Sequence, residues 1–330
     1  MPDDLIRLPV RTGHGRMWRE ILTGLADHVR VDPVAPGQRA SRTDVWLSDG
    51  HQGPLGVDGP RVVHVHEAGW TTPELRAVLD REFLETIESC TGAACRDATL
   101  IVTPSAAARD QLEVSYGIDG ERVRVVPHGV DHDTFRPEAK SATRSGPPYV
   151  LFVSQLHPRK NLQALRDAMV AMGERGLSHA LMIVGGPALD RRDGAALEAS
   201  LTAPLPGRTN GVVRVLDPDD RSLATLMADA DVFCLPSLME GFGLTALEAM
   251  ACGTAVVVAD RGSLPELVAG AGVIVEPTAA AIESALSNLL SDDAKRRALA
   301  TAGLERARTF TWQRAVDGWV EVLHEAVDRG

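Results

Sequence analysis

Short apolar runs of β-forming residues alternate with helical stretches along nearly all of the 330 residues, in two successive series. That alternation is the sequence form of a parallel sheet with helices on its faces, because parallel neighbours need a crossover long enough to hold a helix. In the first series, strands are expected at 5–10, 29–34, 45–48, 61–66, 99–103 and 123–127, with the clearest helices at 14–27, 73–94 and 105–116. Residues 138–148, Glu-Ala-Lys-Ser-Ala-Thr-Arg-Ser-Gly-Pro-Pro, have no apolar periodicity and end in Pro-Pro, which reads as a linker. The second series places strands at 149–154, 180–184, 212–216, 232–235, 255–259 and 273–275, and closes with helices at 279–290, 292–308 and 312–328. The expected organisation is therefore α/β with two doubly wound domains, 1–138 and 149–330, joined by 139–148 and facing a cleft. The last helix is a candidate to pack back on the first domain. Such folds hold ligands at the carboxyl ends of their strands, so the active site is expected to face that cleft.

Composition narrows the function classes. Hydrophobic residues at 44% and charged residues at 24% describe an ordinary globular chain. The net charge of −11 is spread over both halves with no basic tract, which argues against a nucleic-acid binder and against strong docking on anionic lipid. No apolar run approaches the roughly 20 residues of a membrane span, and Met-Pro-Asp-Asp does not open a secretory signal. The expected location is the cytoplasm, with at most peripheral membrane association. Cys90, Cys95, Cys234 and Cys252 form no CxxC pair and lack histidine at zinc-ligand spacing, so they read as buried thiols.

The densest chemistry lies in Glu240-Gly-Phe-Gly-Leu-Thr-Ala-Leu-Glu248, which follows a strand and opens a helix. Glycines let a ligand approach the backbone, and first-turn amides with the helix dipole favour phosphate. Eight residues along a helix span about 12 Å, enough for Glu240 and Glu248 to meet groups on either side of a diphosphate. A glycine-capped turn with two solvated glutamates would explain the same residues. Pro158-Arg-Lys-Asn161 puts Arg159 and Lys160 between a strand and a helix, where two cations would stabilise a departing phosphate. Gly13-His-Gly15 precedes a helix, at a place for a loop covering a diphosphate, and an ordinary strand-to-helix turn fits equally well. Trp18 stands where a dinucleotide fingerprint needs its third glycine. His66 ends a strand, and strand alternation puts His64 on the same face, deeper and packed. The Asp-x-Asp triplets at Asp131, Asp217 and Asp229 are too scattered to indicate metal.

Several segments in order, Val-Pro-His-Gly-Val-Asp131, Phe135-Arg-Pro137, Ser-Gln-Leu-His-Pro-Arg-Lys-Asn161, Ile-Val-Gly-Gly186, Ala-Asp-Val-Phe-Cys-Leu-Pro-Ser237, the double-Glu segment, Ala-Cys-Gly-Thr-Ala-Val257, Leu-Pro-Glu266 and Phe-Thr-Trp312, complete a pattern over residues 99–325. Together they resemble the large E-x7-E family of retaining glycosyltransferases, family 4 or "group 1", with the GT-B fold of two Rossmann-like domains. The resemblance assigns Glu240 to the transferred sugar, Glu248 to the ribose, and the amides of Gly241, Phe242, Gly243 and Leu244 to sugar and phosphate oxygens. It assigns Lys160 to the phosphates, with Arg159 replacing the family's upstream Arg, whose place Gln155 occupies. It gives His66 the sugar contact. Gly13, Gly15, Gly185 and Leu216 complete the donor-binding set.

The implied activity is metal-independent transfer of a hexose, of mannose or glucose type, to an acceptor hydroxyl with retention and without a cofactor. GDP-mannose is the first donor expected from the Pro-Arg-Lys-Asn variant, with UDP-glucose or UDP-N-acetylglucosamine next. The acceptor, a glycan, lipid-linked or small molecule, belongs to the first domain, whose loops 48–59 and 67–73 match no recognisable pattern. The rivals are a sugar-nucleotide epimerase or phosphorylase of the same fold and a non-catalytic sugar-nucleotide-binding protein or partner subunit.

Overall fold

The computed structural model describes residues 13–32, 43–54, 56–70, 72–142, 146–186, 194–206 and 211–330. The chain divides into two compact units, Met1–Gly129 with Phe310–Gly330, and Val130–Thr309.

The first unit holds a parallel sheet in which Trp46–Asp49 (β1), Arg61–His64 (β2), Leu100–Thr103 (β3) and Val123–Val125 (β4) follow one another in order. Register pairs Asp49 with His64 and His64 with Val102, so these three side chains share a face. On that face Val62, Leu100 and Val102 pack against Met17, Ile21 and Leu25 of the helix Gly13–Leu25 and against Val316, Trp319 and Leu323 of the last helix, Trp312–Arg329. On the other face Val63, Val65 and Ile101 meet Cys95 and Leu112. The last helix is thus an element of the first unit. Arg124 on β4 fixes it further through a 2.5 Å ion pair with Glu325. A Cβ on Gly129 would collide with the backbone of Trp312, so Val-Pro-His-Gly and Phe-Thr-Trp are distant segments brought into contact.

The second unit holds a six-stranded parallel sheet ordered β10–β9–β8–β5–β6–β7, from Tyr149–Val153 (β5), Ala180–Val184 (β6), Val212–Val215 (β7), Val232–Leu235 (β8), Val256–Ala259 (β9) and Val273–Val275 (β10). β5 lies between β6 and β8, and the chain winds outward from it in both directions. The loops after β5 and β8 therefore leave the sheet side by side at the point where strand order reverses, the place where open α/β sheets bind ligands.

Several boundaries differ from the expectations. The helix expected at 73–94 is two, Pro73–Val78 and Arg81–Asp97, because the Asp80 carboxylate accepts the Glu82 and Phe83 amides and starts a new helix. Residues 29–32 form no strand, and 33–34 and the strand expected at 5–10 lie outside the described residues. β2 stops two residues before His66. The polar stretch read as a linker falls in the second unit, where the Ser141 amide donates to Asp229 and the Tyr149 amide to Asp231. No described helix is long and apolar enough to cross a membrane.

Candidate active site

The switch-point loops of the second unit bring the strongest candidates together. After β5 the chain makes the single turn Pro158–Lys160, and Asn161 adopts a left-handed conformation (φ 53°) before the helix Leu162–Glu174. Asn tolerates this backbone better than most residues. Its amide side chain donates to the carbonyls of Pro236 (3.1 Å) and Pro277 (2.8 Å), stitching the turn to two neighbouring loops. After β8, the Leu238 amide donates to the Arg159 carbonyl at 2.8 Å, and the Arg159 guanidinium donates to the Met239 carbonyl at 3.2 Å.

These backbone ties set up one close ionic contact. Lys160 Nζ donates to Glu240 Oε1 at 2.5 Å, and Ser237 Oγ donates to the same oxygen at 2.7 Å. Both charged side chains are nearly buried, at 12% and 7% exposure, so each needs the other to offset the loss of water. The Glu240 carbonyl accepts from both the amide and the hydroxyl of Ser263, at 3.1 Å each. A Cβ on Gly262, whose φ is +55°, would collide with that same carbonyl. Glu240 is therefore held at backbone and side chain.

Gly243 (φ 93°) caps the helix Leu244–Ala251, and the Leu244 and Thr245 amides precede the first intrahelical bonds. Glu240 lies in the turn before this helix rather than in it, so the 12 Å helical span expected between the two glutamates does not apply. Glu248 is the fifth helical residue and is 1% exposed, which rules out a solvated surface carboxylate. Phe242 and Leu244 are buried beside it. Gly185, at the end of β6, runs so close to the Ser154 carbonyl that no side chain fits (φ 124°), while Leu216 beyond β7 is 63% exposed. Two of the aspartate triplets serve local turns and caps: Asp131 accepts the Asp133 and Thr134 amides, and Asp219 caps Asp220–Asp229, whereas Asp229 and Asp231 of the third accept the distant Ser141 and Tyr149 amides.

In the first unit the structure shows a cluster that linear reading missed. Gly13 and Gly15 form the first turn of a helix rather than a covering loop, and the residue between them, His14, reaches Asp49 at 2.6 Å. Asp49 also accepts from Trp18 Nε1 (3.2 Å) and the His51 amide (3.0 Å), and lies 3.8 Å from His64 Nδ1. His66 Nδ1 is 3.3 Å from His128 Nε2, with rings stacked at 14°. Burial alone would raise the Asp49 carboxyl, but the direct His14 contact, with the His64 imidazole nearby, outweighs it and holds it far below the usual carboxylate range. Burial pushes the imidazoles of His64 and His128 below their ordinary value, so both are neutral near pH 7. His14, Asp49, His64 and His128 come from a helix start, two strand ends and a loop. The Asp49–His64 register was the one available signal, and it needs the pairing of β1 with β2. The cysteines are free; Cys234 and Cys252 are buried, and burial pushes the Cys95 thiol up to about 12.

Two parallel α/β units, the second with a buried cation–carboxylate pair at its switch point and a glycine-capped helix beside it, match solved glycosyltransferase structures of the GT-B class. The family described as Glycosyl transferases group 1 matches residues 134–306, and Glycosyltransferase Family 4 matches 48–134. The chain belongs to the group 1 glycosyl transferases. Among curated relatives, a D-inositol 3-phosphate glycosyltransferase of Nocardia farcinica is 32% identical over 86% of this chain and 65% of its own length. The chain spans about half to two thirds of the length of the curated relatives it matches. Among solved structures, a sucrose-phosphate synthase from Thermosynechococcus elongatus is 26% identical, with a TM-score of 0.68 over 82% of this chain and 68% of that one. HepE of Anabaena in complex with UDP-glucose, 24% identical, shares the fold with a TM-score of 0.69 over 81% of this chain and 72% of that one.

Proposed function

We propose that the chain is a retaining glycosyltransferase that moves a hexose from a nucleoside-diphosphate sugar to an acceptor hydroxyl, with no metal at the phosphates. The observation that carries this reading is the Lys160–Glu240 pair beside the first turn of Leu244–Ala251. A departing nucleoside diphosphate gathers negative charge, and a fixed ammonium, a nearby guanidinium and free helix amides stabilise that charge more in the transition state than in the ground state. Donor phosphate competes with Glu240 for Lys160. Released from the ammonium, the Glu240 carboxylate accepts hydroxyl hydrogen bonds from the sugar, while Glu248 does the same for the ribose. Retention follows a same-face route: the anomeric carbon–phosphate oxygen bond breaks, the acceptor oxygen bonds on that face, and the acceptor's proton passes to the leaving phosphate.

The UDP-glucose complex of HepE favours a uridine donor over the GDP-mannose expected from Pro158-Arg-Lys-Asn161. The Nocardia relative's name makes D-inositol 3-phosphate the first acceptor to try. Calorimetry with UDP, GDP and their hexose conjugates tests the donor site. At least one diphosphate should bind with one site per chain, and Glu248→Gln should weaken it about tenfold, the cost of one charge-assisted hydrogen bond. Binding that Glu248→Gln leaves unchanged removes the ribose assignment, and an absence of binding by every diphosphate removes the donor site itself.

A further inference from the structure

We propose that His64, His66 and His128 form a three-nitrogen site for a divalent transition-metal ion of the zinc type within the first unit, with the Asp49 carboxylate behind His64. Each imidazole offers one ring nitrogen, and the three nitrogens lie within 4.8 Å of one another. The His66 Nδ1 to His128 Nε2 separation of 3.3 Å matches the edge of a tetrahedron with metal–nitrogen bonds of about 2.0–2.1 Å. His64 is the strongest indicator. It is 1% exposed, and neither ring nitrogen has a hydrogen-bond partner among the described residues. A buried imidazole whose ring nitrogens make no hydrogen bond costs free energy that a metal bond would offset.

The neighbouring set of His14, Asp49 and His64 shares this histidine. Its 2.6 Å His14–Asp49 contact is a direct hydrogen bond, shorter than the spacing between two ligands of one ion. That set therefore supports the site rather than forming it. Asp49 stands 3.8 Å from His64 Nδ1, in the place of the carboxylate that orients a metal-bound imidazole. Three imidazoles suit zinc, cobalt and nickel and discriminate against magnesium and calcium, which take oxygen ligands. Half-buried His66 leaves a way in from solvent, and the ion would tie the end of β2 to the segment after β4.

The test uses the untagged, chelator-treated chain titrated with Co2+, followed by visible d–d absorption and calorimetry without any nucleotide, so its outcome is independent of glycosyl transfer. The expected result is one equivalent bound, displaced by Zn2+ and unaffected by excess Mg2+. His66→Gln, at a half-buried position where the fold should survive, should weaken binding at least tenfold, and Asp49→Asn about tenfold. His324→Gln on the exposed face of the last helix should bind as the unaltered chain does. Apo melting curves check that each variant is folded. Absence of saturable Co2+ binding, or folded His66→Gln and His128→Gln variants that bind like the unaltered chain, would overturn the site.

Discussion

At the scale of single residues, the pairing of Lys160 with Glu240 decides how the candidate site must behave. Removing one partner of a nearly buried ion pair strands the other charge, at a cost of about 3–5 kcal/mol, whereas removing both together costs much less. Lys160→Met and Glu240→Leu should each lower the unfolding free energy by about 3 kcal/mol, and the double variant by clearly less than their sum. A chemical-denaturation double-mutant cycle reads this directly; additive losses would mean the two groups do not act as a pair. Both residues were legible in the sequence as members of motifs, because strand, turn and helix signals flank them. Their mutual contact was not, since it joins loops 80 positions apart. Ser237 and Ser263, which hold Glu240, gave no signal of their own, because a serine after a strand is ordinary turn chemistry.

At the scale of elements, most strands and helices were readable because period-two apolar runs and periodic helical faces rarely coincide. β6, β8 and β10 fall where the sequence placed them. The split helix has a definite cause: local hydrogen bonding overrode periodicity. Asp80 broke one long helix in two by capping the second half, while Ser141 of the polar stretch donates its amide to Asp229, 88 positions away. The turn after β9 shows what such local geometry does for the site. Gly262 sits at positive φ against the Glu240 carbonyl, where a side chain costs about 1–3 kcal/mol in backbone strain before any displacement. Gly262→Ala should keep the chain folded, lower its melting temperature, and reduce turnover more than Gly270→Ala. Gly270 also has positive φ, but its Cβ position is open. Equal turnover in the two variants would show that Glu240 does not depend on this turn.

At the scale of the whole molecule, two parallel sheets carry different kinds of polar chemistry. The second unit buries a paired cation and carboxylate, and the first buries neutral imidazoles around one ionised carboxylate. The histidines make stability depend on pH. Burial holds His64 and His128 below their ordinary value of 6.5, so below that pH the unfolded chain binds protons that the folded chain refuses. Stability should therefore fall as pH is lowered from 7.5 to 5.5, by at most about 1.4 kcal/mol per pH unit for each histidine. His14, Asp49 and His66 face the same cluster, and Asp49 stays ionised throughout this window. Melting curves across the range, in the presence of chelator, check the sign; a stability that rises on acidification would contradict the burial of neutral imidazoles. In the proposed activity, Lys160 and Glu240 serve a glycosyl transfer at the switch point of the second sheet. Its most direct measurement is nucleoside-diphosphate release from UDP- and GDP-hexoses, with and without D-inositol 3-phosphate and a broader acceptor panel, for the unaltered chain and for Lys160→Ala. The expected result is acceptor-dependent release that Lys160→Ala reduces by about 10²–10³, the usual loss on removing one transition-state charge stabiliser. Acceptor-dependent release that a folded Lys160→Ala variant sustains at the unaltered rate would contradict it.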